Sequence, residues 1–337
     1  MKKRIVLILV LILVFPFSGL SAARISGFTY EPGEHAINLS FVADGQDYVQ
    51  IGYKSSMESG TVLFKGENGK FQGDVALPLT YAGNNVTINI FSLSGSRLNS
   101  FKAQTKYPTA TPSAKPNADG PLYGLTVCID PGHQLKSPGG IEPIGPGLKG
   151  TKAVVFGMAE GISTHRREAV VVLEIGLQLR DMLLEQGAQV VMTRDTMEKA
   201  VTNLERAQTA NDANADICLR LHANANKNKT NRGIVVYTPL GSDYARAVAD
   251  PQTYKMWGQA LLDCMAESTG AKPVGIGQTD TYVGSNWCKM PVFLIEMGYM
   301  STPQDDLLLS LPEYQQKLCQ GMVDGVAAIS RMRGLIH

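Results

Sequence analysis

The stretch VCIDPGHQ, residues 127–134, runs an apolar segment into a Pro-Gly turn and then delivers a histidine. The chain holds only five histidines, and this one falls just past the end of a strand pattern. Two further stretches repeat the arrangement. ICLRLHAN at 217–224 carries His222 at its end, and VFLIEMGY at 292–299 carries Glu296. The runs LTVCID, AQVVMTR, DICLRLHA and GIVVYT are continuously apolar rather than alternating, the pattern of strands covered on both faces. Helical patterns separate or follow them: RREAVVVLEIGLQLRDMLLEQG, stopped by Gly187, then NLERAQTANDANA, YKMWGQALLDCMAESTG and PEYQQKLCQGMVDGVAAISRM. Strands alternating with helices predict an α/β domain, a mostly parallel twisted sheet with helices on both faces. Ligands of such sheets bind beyond the carboxyl ends of the strands.

The polar residues fall at that edge. His133 follows the first strand, His222 ends the third and Glu296 ends the last. Glu168 lies in the first turn of the first helix, which meets the same edge. Two histidines and one carboxylate, with a position left for water, make the donor set of catalytic zinc hydrolases, one Zn2+ per chain. Glu296 is then a general base outside the ligand set, and burying it in an apolar strand is costly without such a purpose. Glu174 competes with Glu168. Six residues of helix turn a side chain by about 600°, leaving the two roughly 120° apart, so they cannot share one metal. Glu174 is expected to be paired or to face solvent. His165 is expected in a loop before the helix, and His35 and His337 carry no readable role.

At 337 residues and 44% hydrophobic content the chain is long enough for two domains and too apolar for global disorder. Residues 1–23 combine a basic start, an apolar run and small residues, the grammar of a signal peptide too short to span a membrane comfortably. The mature chain is therefore expected outside the cytoplasm, with no membrane span. Removing Lys2, Lys3 and Arg4 from 31 basic and 30 acidic residues leaves 28 against 30, a formal charge of −2. No nucleic-acid footprint is visible. Five cysteines match no zinc ribbon, and Cys128 and Cys218 sit in apolar strand patterns as small core residues. No GxSxG or catalytic-cysteine signature suggests a serine or cysteine hydrolase. Residues 24–105 read as short alternating runs (HAINLSFVA, DYVQIGYK, GTVLFKG, GKFQGDVAL, NNVTINIFSL, SRLNSFKAQ) broken by turns, an Ig-like β-sandwich preceding the α/β domain. It is either a targeting module or a structural appendage. Residues 106–121, with Pro108, Pro112 and Pro116 among Thr, Ser and Ala, read as a linker. The second domain is assigned to 122–337.

Taken together, IDPGH at 129–133, the glutamate of RREAVVVLEIGLQLRDMLLEQGAQVVMTRD, LRLHANA at 219–225 and PVFLIEMGYMSTPQDD at 291–306 resemble the third family of zinc-dependent N-acetylmuramoyl-L-alanine amidases. The resemblance covers about 124 to 333 and excludes the sandwich. It implies His133, Glu168 and His222 as zinc ligands and Glu296 as catalytic acid/base. The implied substrate is peptidoglycan, cut at the amide between N-acetylmuramic acid and L-alanine by a monomer in the cell wall. A zinc peptidase cutting within the stem peptide and an inactive peptidoglycan-binding protein remain the alternatives. The family often has Glu-Lys-Asp where this chain has Glu168-Ala169-Val170. Some members carry an inhibitory helix after the second histidine, and NANKNKTNR at 224–232 is too short for one, which implies a site open without an activator. Asn224, Asn286 and Trp287 are candidate substrate contacts, the indole by stacking on a sugar.

Overall fold

The computed structural model describes residues 25–336 apart from 33–35, 55–58, 77–84, 93–94, 105–114, 155–156, 165 and 198. The expected signal peptide, His35, His165, His337 and most of the expected linker lie outside the described residues.

Among the described residues, seven strands occupy the N-terminal part: β1 Ile25–Pro32, β2 Ala36–Ala43, β3 Tyr48–Lys54, β4 Ser59–Lys65, β5 Lys70–Ala76, β6 Asn85–Ser92 and β7 Arg97–Gln104. They pair antiparallel in two sheets, β1-β2-β5 and β4-β3-β6-β7. The period-2 alternation explains the core. Ile37, Leu39 and Phe41 of β2 meet Val49 and Ile51 of β3 and Val86, Ile88 and Ile90 of β6 in one buried cluster between the sheets. β1 is the one of these strands the sequence pattern does not announce. Its ISGFTYEP breaks alternation, and its register with β2 shifts between Ser26 and Thr29.

The α/β part follows, with β8 Thr126–Pro131, the hairpin β9 Ile141–Pro143 and β10 Thr151–Ala153, α1 Glu168–Glu185, β11 Gln189–Met192, α2 Asn203–Asp212, β12 Ile217–Asn224, β13 Ile234–Thr238, α3 Asp243–Val248, α4 Pro251–Thr269, β14 Pro273–Gln278, α5 Val283–Asn286, β15 Val292–Tyr299, α6 Pro303–Leu309 and α7 Pro312–Met332. Six strands form one sheet in the order β11-β8-β12-β15-β13-β14. Neighbours are parallel except β13 against β15. The expected mostly parallel sheet is present, with β13 and β14 reversed as a pair.

Both faces are covered, which is why the strands read as unbroken apolar runs. Val127 and Ile129 of β8, Leu219 and Leu221 of β12 and Phe293 and Ile295 of β15 pack with Val172, Ile175 and Leu179 of α1 and with residues of α4 and α7. On the other face Cys128, Cys218, Cys288 and Val292 meet Ala207 and Ala210 of α2. Local signals set the helix ends. Thr202 and Glu205 form a reciprocal capping box on α2. Asp250 caps α4 with Pro251 in its first turn, and Gly270 ends it in the left-handed conformation. No helix intervenes between β12 and β13. Among the described residues none of the helices is long and apolar enough to cross a membrane.

Candidate metal centre

β8, β12 and β15 run parallel and side by side, so their carboxyl ends open on one edge. His222 of β12 lies opposite Glu296 of β15 in the ladder. Gly132 N–H donates to the Leu221 carbonyl at 2.9 Å, which brings the turn after β8 against β12. His133 then adopts φ +56°, in the left-handed region that favours glycine. Glu168 is the first residue of α1, where the positive end of the helix dipole favours a carboxylate.

These three side chains converge. His133 Nε2 lies 3.0 Å from Glu168 Oε1, His222 Nδ1 lies 3.1 Å from the same oxygen, and the two ring nitrogens are 3.2 Å apart. The rings meet edge to face at 4.9 Å between centroids. Glu168 is held from behind as well. Its Oε1 accepts from Ala223 N–H at 3.0 Å, and Oε2 accepts from Ala159 N–H at 2.9 Å. Burial pushes the Glu168 carboxyl up, but its hydrogen bonds to the two histidines outweigh this and hold it well below the usual carboxylate range. Burial pushes His222 down, toward the neutral imidazole a metal ligand must be. Two imidazole nitrogens and a carboxylate oxygen, all within 4.8 Å of one another, fit a divalent cation by donor type and by convergence.

Glu296 faces the same space. Its Oε2 is buried with no hydrogen-bond partner among the described residues. Burial, then the Glu168 charge, pushes its carboxyl up to about 8. A cleft of 610 Å³ opens over these four residues, lined also by Asn224, Lys152, Asn203 and Tyr282. Asn224 thus lies in the wall of the cleft that holds the three converging side chains. Asn286 and Trp287 do not line it. Asn286 is fully buried, and its Nδ2 donates to the Ile144 and Asp280 carbonyls. Trp287 donates from Nε1 to the Pro143 carbonyl at 2.9 Å and meets Tyr244 edge-on. Both brace β9 and the loop behind it; Asn286 is fully buried, while the indole of Trp287 stays partly exposed outside this cleft. Glu174 is buried and paired with Arg166, on a different side of α1 from the cluster.

Four charged residues that sequence reasoning passed over lie beneath the site. Asp130 accepts from Thr193 Oγ1 at 2.5 Å, Arg206 Nη1 at 2.6 Å and Arg220 Nε at 2.7 Å. Burial raises its carboxyl, and the two guanidinium charges outweigh that and hold it far below the carboxylate range. Arg194 is fully buried beside them. Asp130 and Arg220 stand inside apolar strands, so the cost argument that singled out Glu296 applied to them equally. Arg194 closes the apolar run AQVVMTR, where a charge at the end of a strand reads as exposed, and Arg206 lies in the polar segment NLERAQTANDANA, which gave no such signal.

The model of the Amidase_3 family, described as "N-acetylmuramoyl-L-alanine amidase", matches residues 127–328. The chain belongs to this family. The match contains His133, Glu168, His222 and Glu296 and leaves out the sandwich. Among curated relatives, this amidase-family chain is 25% identical over 315 residues to N-acetylmuramoyl-L-alanine amidase LytC of Bacillus subtilis (strain 168), an alignment covering 92% of this chain and 56% of LytC. It is 29% identical over 219 residues to the germination-specific N-acetylmuramoyl-L-alanine amidase of the same organism, covering 61% of this chain and 80% of that one. The solved structure of the amidase Ami1 from Mycobacterium smegmatis shares its fold, with a TM-score of 0.56 at 24% identity over 63% of this chain and 99% of Ami1.

Proposed function

We propose that the chain is a zinc-dependent hydrolase of peptidoglycan that cleaves the amide joining the lactyl group of N-acetylmuramic acid to L-alanine of the stem peptide. The observation that carries this reading is the convergence of His133, Glu168 and His222 within 4.8 Å at the strand edge, with Glu296 beside them. The family supplies the bond; the geometry supports the chemistry. His133 Nε2, His222 Nδ1 and Glu168 Oε1 would hold the cation. A bound Zn2+ supplies a Lewis acid that brings the pKa of water from near 16 toward about 7 and offsets the Glu168 charge that raises Glu296.

The residues of the chain do the rest. Glu296 takes a proton from water, whose oxygen bonds to the lactyl carbonyl carbon. As the carbon–nitrogen bond breaks, Glu296 returns that proton to the departing L-alanine nitrogen. Its Oε2, which has no hydrogen-bond partner among the described residues, is free for this transfer. The walls of the cleft, Asn224 and Tyr282 among them, orient the glycopeptide. The proposal carries with it a site of action outside the cytoplasm, in the cell wall.

Metal analysis of the purified chain should find one zinc per molecule. Clearing of a peptidoglycan gel should stop with chelator and return with zinc, and mass spectrometry should find stem peptides with a free L-alanine amine. Fragments cut further along the peptide, with L-alanine still on muramic acid, would replace the amidase reading with a peptidase.

A further inference from the structure

Arg194, which follows β11, is fully buried and takes no direct part in the chemistry above. Its Nε donates to the Pro131 carbonyl at 2.9 Å, and its Nη2 donates to the carbonyls of Gly132 and Ala169, both at 2.8 Å. Nη1 reaches the Thr196 carbonyl at 3.3 Å. All of these oxygens belong to the backbone, and no ion pair of Arg194 occurs among the described residues. Burying a guanidinium without a carboxylate partner is costly.

The identity of the carbonyls gives the reason for it. Pro131 and Gly132 immediately precede His133, and Ala169 immediately follows Glu168. One planar fork therefore joins the two backbone segments that carry two of the three converging side chains. The join matters because His133 sits at φ +56°, a conformation unfavourable for a non-glycine residue that persists only where its surroundings determine it. Arg206 completes the hold on that loop, donating to the Pro131 carbonyl at 2.7 Å and the His133 carbonyl at 2.9 Å. Lysine could not replace the fork, because an ammonium is a point charge and cannot reach acceptors on two separate segments with fixed geometry.

We propose that Arg194 is a positioning residue: it staples the His133 loop to the first turn of α1, so that the cation site is formed before any metal arrives. The proposal rests on the reading of His133, Glu168 and His222 as metal ligands.

The test compares the full chain with its Arg194→Lys variant. Zinc affinity is measured by competition with a chromophoric chelator, and the melting temperature is measured without metal. The variant should melt within roughly 5 °C of the wild type and bind zinc about 10–100-fold more weakly. Its turnover at saturating zinc should return to within about tenfold of wild type, because an outer group that only positions ligands is compensated by excess metal. A folded variant with unchanged zinc affinity overturns the staple and leaves the ligand assignment standing. A wild-type chain that binds no zinc overturns both, and that arm needs no variant. Should Arg194→Lys fail to fold, crystal structures of the wild type with and without zinc decide. The same placement of His133 and Glu168 in both supports the staple. A His133 loop displaced in the metal-free crystal, with the Arg194 bonds intact, refutes it.

Discussion

At position 132 the neighbour decides the residue. A Cβ built on Gly132 would lie 2.3 Å from His222 Cε1 and 2.5 Å from Nε2, so only glycine lets the imidazole lie flat against the turn. Gly132→Ala should push the ring away from Glu168, lowering zinc affinity about 10–100-fold by chelator competition. Affinity equal to wild type would mean that the ring has room this structure does not show. Glu296→Gln tests the other half of the site. The amide keeps the size of the side chain and removes its capacity to accept a proton. Zinc should remain bound while turnover falls roughly 10²–10⁴-fold. Loss of zinc from this variant would instead make Glu296 a ligand. Both histidines and Glu296 were readable in the sequence because a polar group within or just past an apolar strand is costly and asks for a purpose. Arg206 was not, since a guanidinium in a polar segment looks like surface until the fold buries it.

Between elements, buried charge does the joining. Asp130 links β8 to Thr193 after β11, to Arg206 of α2 and to Arg220 of β12. Its folded-state pKa is depressed far below its ordinary value of 3.8. The carboxylate thus contributes stability that is complete above about pH 4 and is lost as pH falls toward the folded value. Urea denaturation at pH 3, 4 and 7 should show the loss, and Asp130→Asn should flatten this acid limb while lowering stability at pH 7. On α1, Glu174 pairs with fully buried Arg166 and also accepts from Gln315 of α7 at 3.4 Å. Glu174→Ala should cost about 3–5 kcal/mol by leaving the guanidinium uncompensated, whereas Arg166→Met with Glu174→Leu should recover most of it. Equal losses in both variants would show that shape, not charge, holds α1 to α7. The long helices and central strands were legible from periodicity and glycine stops. β14 was not: PVGIGQ carries two glycines and lies at the sheet's edge, half-buried along most of its length, so neither propensity nor a continuous apolar run marks it.

For the molecule as a whole, the change from alternating to continuous apolar runs separated two kinds of sheet correctly, because covering one face or two leaves different patterns. Composition was a poorer guide to where the second unit begins. The proline-rich stretch read as linker to 121, yet from Asn117 the chain lies on the carboxyl end of α1. Asn117 N–H donates to the Leu184 carbonyl at 2.9 Å, its Nδ2 donates to Glu185 at 3.1 Å, and Leu122 N–H donates to Gln186 at 2.8 Å. These carbonyls end a helix and have no partner within it, so the segment performs a cap's work from distant sequence. Gly187, at φ +95°, turns the chain there, and a Cβ on it would meet the Asn117 carbonyl at 2.6 Å. Polar, proline-flanked residues can dock through backbone hydrogen bonds without any hydrophobic signature, which is why composition missed them. A fragment of residues 115–337 should therefore be more stable to urea than one of 122–337. The two Asn117 bonds are worth about 0.5–1.5 kcal/mol each, giving a difference of about 1–3 kcal/mol. Both fragments should bind zinc equally, because the contact lies at the far end of α1 from Glu168. Equal stability would return the boundary to 122, and unequal zinc affinity would mean that the far end of α1 reaches the metal site through the helix.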